Sequence, residues 1–252
     1  MEINQRAAII PCAGQAKRMG EVNLPKSLIE IKGKPVLLHL LERLSDLFDI
    51  FYIPINISHK KLYLNFIPEI LLQRIKLIES EPGSGDGQAV LDALNALDPK
   101  KVMNEVMVCW GDTFLKEGNL VNSLLDLKFD EPLLIPVYLT KDPYVSYLEN
   151  DLGVPKRVAF TRRGEIYEEG KTDISLFFIK ADVTKDNLIQ LKKSKILKDD
   201  LSSQNLELNF LDIIEHLYLQ DNPAKIIEID FNDDVYSFNT LEELDNISNT
   251  IK

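Results

Sequence analysis

Between positions 7 and 26 the chain reads Ala-Ala-Ile-Ile-Pro-Cys-Ala-Gly-Gln-Ala-Lys-Arg-Met-Gly-Glu-Val-Asn-Leu-Pro-Lys. The apolar run Ala7 to Ile10 is too short for a helix and ends in turn formers, so it predicts a buried strand. The small residues Ala13, Gly14 and Ala16 let backbone N–H groups come close to phosphate oxygens. With Gln15 and Lys17 they form a candidate phosphate loop, and Arg18 and Lys26 add the positive charge that a polyanion requires. The loop is not of the Walker type, because Gly-x-x-x-x-Gly-Lys-Ser/Thr is absent. Nor is it the dinucleotide fingerprint Gly-x-Gly-x-x-Gly, which fails at Ala16.

A second candidate lies in Val106-Met107-Val108-Cys109-Trp110-Gly111-Asp112-Thr113. A buried strand ending in Gly-Asp places a carboxylate at the carboxyl edge of a sheet, where open α/β folds bind ligands. A carboxylate there suits Mg²⁺, a hard cation that takes one or two carboxylates together with phosphate oxygens. Turns also use Gly and Asp freely, so the pair gains meaning from its place behind the phosphate loop. Further along, Arg162 and Arg163 could grip a phosphate bidentately or form a solvated turn with Gly164.

The loop ending in Arg18, followed by Pro25-Lys26, resembles the signature of the sugar-phosphate nucleotidyltransferases, the family that makes nucleotide sugars. The resemblance follows the order of elements through essentially the whole chain and is specific at two or three places. It implies an NTP and a phosphorylated small-molecule acceptor as substrates, Mg²⁺ as cofactor, and Asp112 as a metal ligand. A second ligand would be Asn239, at the end of Val235-Tyr236-Ser237-Phe238-Asn239, unless Asn239 only caps the next helix. The loop Glu79–Ala89 would meet the base and ribose. Gly85 and Gly87 would let the backbone pass a flat ring, and Glu81 would accept a hydrogen bond from a pyrimidine edge. Arg162, Arg163 and Ser175 fall on the acceptor side, Ser175 where the family has a glycine.

These residues need a scaffold. Strand-like runs at 7–12, 50–57, 75–79, 105–110 and 133–139 alternate with amphipathic segments at Val36–Leu47, Gln88–Leu97 and Asn119–Leu127. That rhythm predicts an α/β three-layer sandwich around a mixed, mainly parallel sheet, Rossmann-like in the family sense. Beyond about residue 140 come short strands at 158–161, 166–168 and 174–179. Helices at about 184–193 and 207–219, strands at 225–230 and 235–238, and a helix at 241–251 follow. We expect one domain over 1–252, with a nucleotide half to about 140 and an acceptor half after it.

The net charge of −11 argues against nucleic acid or an anionic membrane as partner, since both need a basic face. Against that background Lys17, Arg18, Lys26, Lys32 and Lys34, opposed by Glu21 and Glu30, make a local positive patch. Two cysteines, Cys12 and Cys109, form neither a disulfide framework nor a metal motif and read as core residues. The polar start of the chain does not resemble a signal peptide, and no apolar run has the length of a membrane span. A cytoplasmic location is expected.

An already ionised acceptor phosphate needs no general base, which agrees with Arg, Lys and Asp as the motif residues. The leading reading is nucleotidyl transfer to a sugar 1-phosphate. Two others stand beside it: cytidylyl transfer to an alcohol phosphate or phosphonate, and a catalytically silent nucleotide-sugar sensor.

Overall fold

In the first strand, alternate side chains enter different cores. Ala7 and Ile9 belong to one hydrophobic cluster, Ala8 and Ile10 to another. Such two-sided burial marks a central strand covered by helices on both faces. The computed structural model describes residues 4–14, 24–116, 118–199, 207–230, 235–238 and 240–250.

In chain order the elements begin with β1 (Gln5–Ile9), β2 (Glu30–Ile31), β3 (Lys34–Pro35), α1 (Val36–Leu44), β4 (Ile50–Ile55), α2 (Lys60–Phe66), α3 (Glu69–Leu72), β5 (Ile75–Glu79) and α4 (Asp86–Ala96). Then come β6 (Val102–Cys109), β7 (Thr113–Leu115), α5 (Leu120–Leu125), β8 (Leu133–Lys141), β9 (Val145–Glu149), β10 (Pro155–Phe160), β11 (Glu169–Asp173) and β12 (Leu176–Lys180). The remainder is α6 (Ala181–Asp199), α7 (Ile213–Leu219), β13 (Lys225–Glu228), β14 (Val235–Ser237) and α8 (Leu241–Thr250).

The main sheet has the order β11-β8-β12-β6-β1-β4-β5, with β13 also paired to β8. Strands β5, β4, β1 and β6 are parallel, and β12 enters antiparallel between β6 and β8. The sheet is therefore mixed and mainly parallel, as expected. One face carries α4, α6 and α7, whose Val90, Leu94, Leu188 and Leu217 share a core with Ile9, Val108 and Phe177. The other carries α1, α2 and α5, whose Leu40, Tyr63 and Leu124 pack with Ile10, Phe51 and Met107. The result is a three-layer, Rossmann-like sandwich. Among the described residues no helix is long and apolar enough to cross a membrane.

The second half departs from the expected strands. No strand forms at 166–168, and Ile166 is exposed. The partner of β10 is β9, joined to it by a turn in which the Asn150 side chain accepts from the N–H groups of Leu152 and Val154. Residues Thr161–Arg163 form a single 3-10 turn closed by Gly164 at φ +81°. Strands β11 and β12 pair with successive stretches of β8. Between them Ser175 takes φ +64°, the left-handed region that favours glycine. The α7 helix is shorter than expected, because Phe210–Asp212 form a 3-10 turn and 207–209 are not helical.

Candidate active site

Strand β1 has β4 on one side and β6 on the other, so the chain order reverses at β1 and the segments leaving β1 and β6 bound a crevice. Ligands of open α/β sheets bind at such switch points. Here the crevice is a cavity of about 640 Å³, a size typical of small-molecule sites. Pro11, Cys12, Ala13 and Gly14 line it from β1, and Trp110, Gly111 and Asp112 from β6.

The two walls meet at Gly111. A Cβ there would lie 2.3 Å from Cys12 Sγ and 2.9 Å from the Pro11 carbonyl oxygen, contacts that side chains do not make. The bare glycine lets its N–H donate to Pro11 O at 3.2 Å. Below the loop, the buried Tyr63 hydroxyl donates to Cys12 O at 3.1 Å and stands 2.9 Å from Ser27 Oγ. With its own proton committed, Tyr63 receives that of Ser27, so the turn carrying Lys26 is tied to the loop leaving β1. Both thiols are buried and free. Burial pushes the Cys12 thiol up to about 12, and raises that of Cys109 further.

Lys26 and Asp112, 86 positions apart, form an ion pair at the cavity wall, each partly buried. Lys26 Nζ also stands 4.9 Å from the centre of the Phe238 ring. The other Asp112 carboxylate oxygen has no hydrogen-bond partner among the described residues. Those residues contain no group of three His, Cys, Asp or Glu side chains able to hold a metal by themselves. One hard carboxylate facing a cavity fits Mg²⁺, which takes few protein ligands and completes its shell with water and phosphate oxygens. Gln15, Ala16, Lys17, Arg18 and Asn239 lie outside the described residues.

The glycine-rich loop makes a close approach within the chain itself. A Cβ on Gly85 would fall 2.2 Å from Leu208 O, and one on Gly87 would fall 2.8 Å from the same oxygen and 2.9 Å from Asn209 C. The missing side chains admit the chain's own segment 208–210. Gly87 N–H donates to Leu208 O at 2.8 Å, Leu208 N–H to Ser84 O at 2.9 Å, and Phe210 N–H to Asp86 Oδ1 at 2.6 Å. Gly85 and Glu81 line the cavity while Gly87 does not. Glu81 is exposed, and its carbonyl accepts from Ser84 Oγ at 2.6 Å.

Of the residues expected to face the acceptor, Arg162 lines the cavity, donating to Asn209 Oδ1 at 2.6 Å with its guanidinium 5.0 Å from the centre of the Phe160 ring. Arg163 does not line it. Its guanidinium donates to Asp212 at 3.0 Å beside Lys195 and borders a separate cleft of about 320 Å³. Ser175 lines the main cavity, and its N–H donates to Asp173 Oδ1 at 2.8 Å.

Asp173 itself was not anticipated. It lines the cavity, half-buried, and its Oδ2 accepts from the Tyr147 hydroxyl at 2.9 Å. Burial pushes its carboxyl up from the ordinary value, and burial with the adjacent carboxylate raises Tyr147 much further, so Tyr147 keeps its proton. The Asp-x-Ser order at 173–175, which suits an Asx turn, was the available signal. Trp110, packed on Phe177 and Phe210 at centroid distances of 5.2 and 5.7 Å, is the other unanticipated lining residue.

Residues 8–159 match the family model of the MobA-like NTP transferase domain. The chain belongs to that family, and its domain is of the nucleotidyltransferase class. Over 114 residues it is 35% identical to the bifunctional protein GlmU of Methanocaldococcus jannaschii, covering 44% of this chain and 26% of that protein. Over 102 residues it is 33% identical to the 2-C-methyl-D-erythritol 4-phosphate cytidylyltransferase of Vibrio atlanticus, covering 40% of this chain and 42% of the relative. The chain thus spans about a quarter of the GlmU relative and under half of the cytidylyltransferase. Among solved structures, a CTP:phosphocholine cytidylyltransferase from Streptococcus pneumoniae superposes with TM-score 0.70 at 15% identity, covering 98% of this chain and 100% of that one. A putative glucose-1-phosphate thymidylyltransferase from Bacillus anthracis gives 0.73 at 13%, covering 98% and 96%. At such identities the structures establish the fold.

Proposed function

We propose that the protein transfers a nucleotidyl group from a pyrimidine NTP to a phosphorylated small molecule, in first place a sugar 1-phosphate, releasing pyrophosphate. The observation that carries this reading is the convergence of Lys26 and Asp112 at the switch-point cavity. The resemblance of the Arg18 and Pro25-Lys26 segment to the nucleotidyltransferases that make nucleotide sugars supports a sugar 1-phosphate, and the Vibrio relative keeps an alcohol phosphate as the second reading.

An oxygen of the acceptor phosphate attacks the α-phosphorus of the NTP. The bond from that phosphorus to the bridging oxygen breaks, and the electron pair leaves with pyrophosphate. The acceptor oxygen is ionised at neutral pH, so the protein has to position reactants and stabilise charge, with no proton to remove. Lys26 is proposed to neutralise the α-phosphate once its contact with Asp112 loosens. Mg²⁺ held by Asp112, with Asn239 proposed beside it, would supply further charge neutralisation between the phosphates. Arg18 is proposed to hold the leaving pyrophosphate, with Ala13 and Gly14 offering backbone N–H groups. Arg162 is proposed for the acceptor phosphate.

The test is pyrophosphate release from each of the four NTPs with Mg²⁺ and a panel of sugar 1-phosphates and alcohol phosphates. Release with UTP or CTP is expected, with a changed CTP/UTP ratio in Glu81→Gln. Release confined to ATP or GTP would remove the pyrimidine assignment, and no release with any acceptor would favour a sensor.

A further inference from the structure

Asp173 combines features that a structural carboxylate does not need. It lines the cavity, half-buried, where burial works against its charge. Each of its oxygens already accepts one hydrogen bond, from Tyr147 hydroxyl and from Ser175 N–H. Two donors aimed at two oxygens favour the ionised form, because a protonated carboxyl would turn one acceptor into a donor. No Lys or Arg pairs with it among the described residues. Arg162, which lines the same cavity, is engaged by Asn209 and lies over Phe160. A partly desolvated carboxylate without a counter-ion is costly, and such groups in a cleft mark functional sites.

The surroundings suit a cation. Trp110, packed on Phe177 and Phe210, lines the cavity together with Asp173, Tyr138 and Tyr144. Ring faces attract cations, most strongly where water is excluded. A neutral hydroxyl would be served as well by an asparagine, which carries no charge to desolvate.

Resting on the nucleotidyl-transfer reading, we infer that the acceptor carries a positively charged nitrogen besides its phosphate, and that Asp173 binds that nitrogen while Arg162 faces the phosphate. Two sources share this chemistry, an amino-sugar 1-phosphate with a free amine and a phosphorylated amino alcohol.

The experiment measures kcat/KM for pyrophosphate release, and acceptor binding by calorimetry, with each of these compounds and with its hydroxyl counterpart. Wild type should prefer one of the aminated acceptors by about 10²-fold over its counterpart, as expected when a site built around a polar group meets a ligand lacking the partner; which of the two does so identifies the source. Asp173→Asn should raise KM for the aminated acceptor by a similar factor and erase the preference, with NTP binding and the thermal midpoint retained. Tyr147→Phe, which frees the carboxylate to turn, should weaken the preference in part. Equal use of the hydroxyl counterpart by wild type, or an unchanged preference in Asp173→Asn, would overturn the inference and leave nucleotidyl transfer standing. Failure to bind any NTP would overturn the transfer reading, and this inference with it.

Discussion

Gly85→Ala tests the contact between the glycine-rich loop and segment 208–210. Gly85 caps α4 at φ 97° and ψ 161°, a region populated almost only by glycine and costing other residues about 1–3 kcal/mol. Its new Cβ would fall 2.2 Å from Leu208 O, backbone that cannot swing aside as a side-chain tip would. Segment 208–210 must withdraw, loosening the hydrogen bonds Gly87 N–H to Leu208 O, Leu208 N–H to Ser84 O and Phe210 N–H to Asp86. Two of the three lost at about 1 kcal/mol each bring the total to about 3–5 kcal/mol. For a domain of this size that is a fall in thermal midpoint on the order of 10 °C. Circular dichroism melts would measure it, and KM for the NTP should rise as well, because Glu81 and Gly85 line the cavity. A variant melting within about 2 °C of wild type, where a loss of this size is expected, would show that segment 208–210 does not depend on this approach.

Lys26→Ala should lower turnover by about 10²–10³-fold, the usual cost of one preorganised charge at a reacting centre. Its melting temperature should change little, since a partly exposed ion pair contributes modestly to stability; wild-type turnover on the correct substrates would remove Lys26 from the mechanism. With its thiol raised to about 12, Cys12 should resist alkylation by iodoacetamide at pH 8, as should Cys109, and both should react in urea; rapid native labelling followed by mass spectrometry would contradict this burial. Burial raises the Asp173 carboxyl above its unfolded value, so the folded state binds that proton more tightly and loses stability as pH rises through the folded pKa. Urea titrations should find Asp173→Asn at least as stable as wild type at neutral pH, with the difference closing in acid; a variant clearly weaker at neutral pH would make Asp173 a structural residue.

The parts of the fold legible in the sequence were those with a strong local period. Strands β1, β4, β5, β6 and β8 are short apolar runs between turn formers, and α1 keeps Leu37, Leu40, Leu41 and Leu44 buried on one face. The β9–β10 hairpin was not legible, because its strands carry Ser146, Glu149, Lys156 and Arg157 and only tertiary packing selects their pairing. The same holds for β11, where Glu169, Gly170, Lys171 and Thr172 have no strand-like alternation of apolar residues. Within the site, Lys26 was marked by the Pro25-Lys26 pair after the phosphate loop and Asp112 by its place at the end of a strand, and the structure brings them together. Gly85 and Gly87 were recognised as close-approach positions, but what approaches is Leu208, over a hundred residues away, and no local pattern announces that. Asp173 escaped notice because its meaning comes from Tyr147 and the cavity, and neither lies near it in sequence.

The most direct measurement follows the phosphorus of the NTP. UTP and CTP labelled at the α or the γ position would be incubated with the protein, Mg²⁺ and the acceptor panel, and the products separated by chromatography. Transfer should place the α label in a compound joined to the acceptor and the γ label in pyrophosphate, with both products lost in Lys26→Ala and Asp112→Asn. Appearance of the γ label on the acceptor, or its release as inorganic phosphate with no nucleotide joined, would contradict nucleotidyl transfer at this cavity.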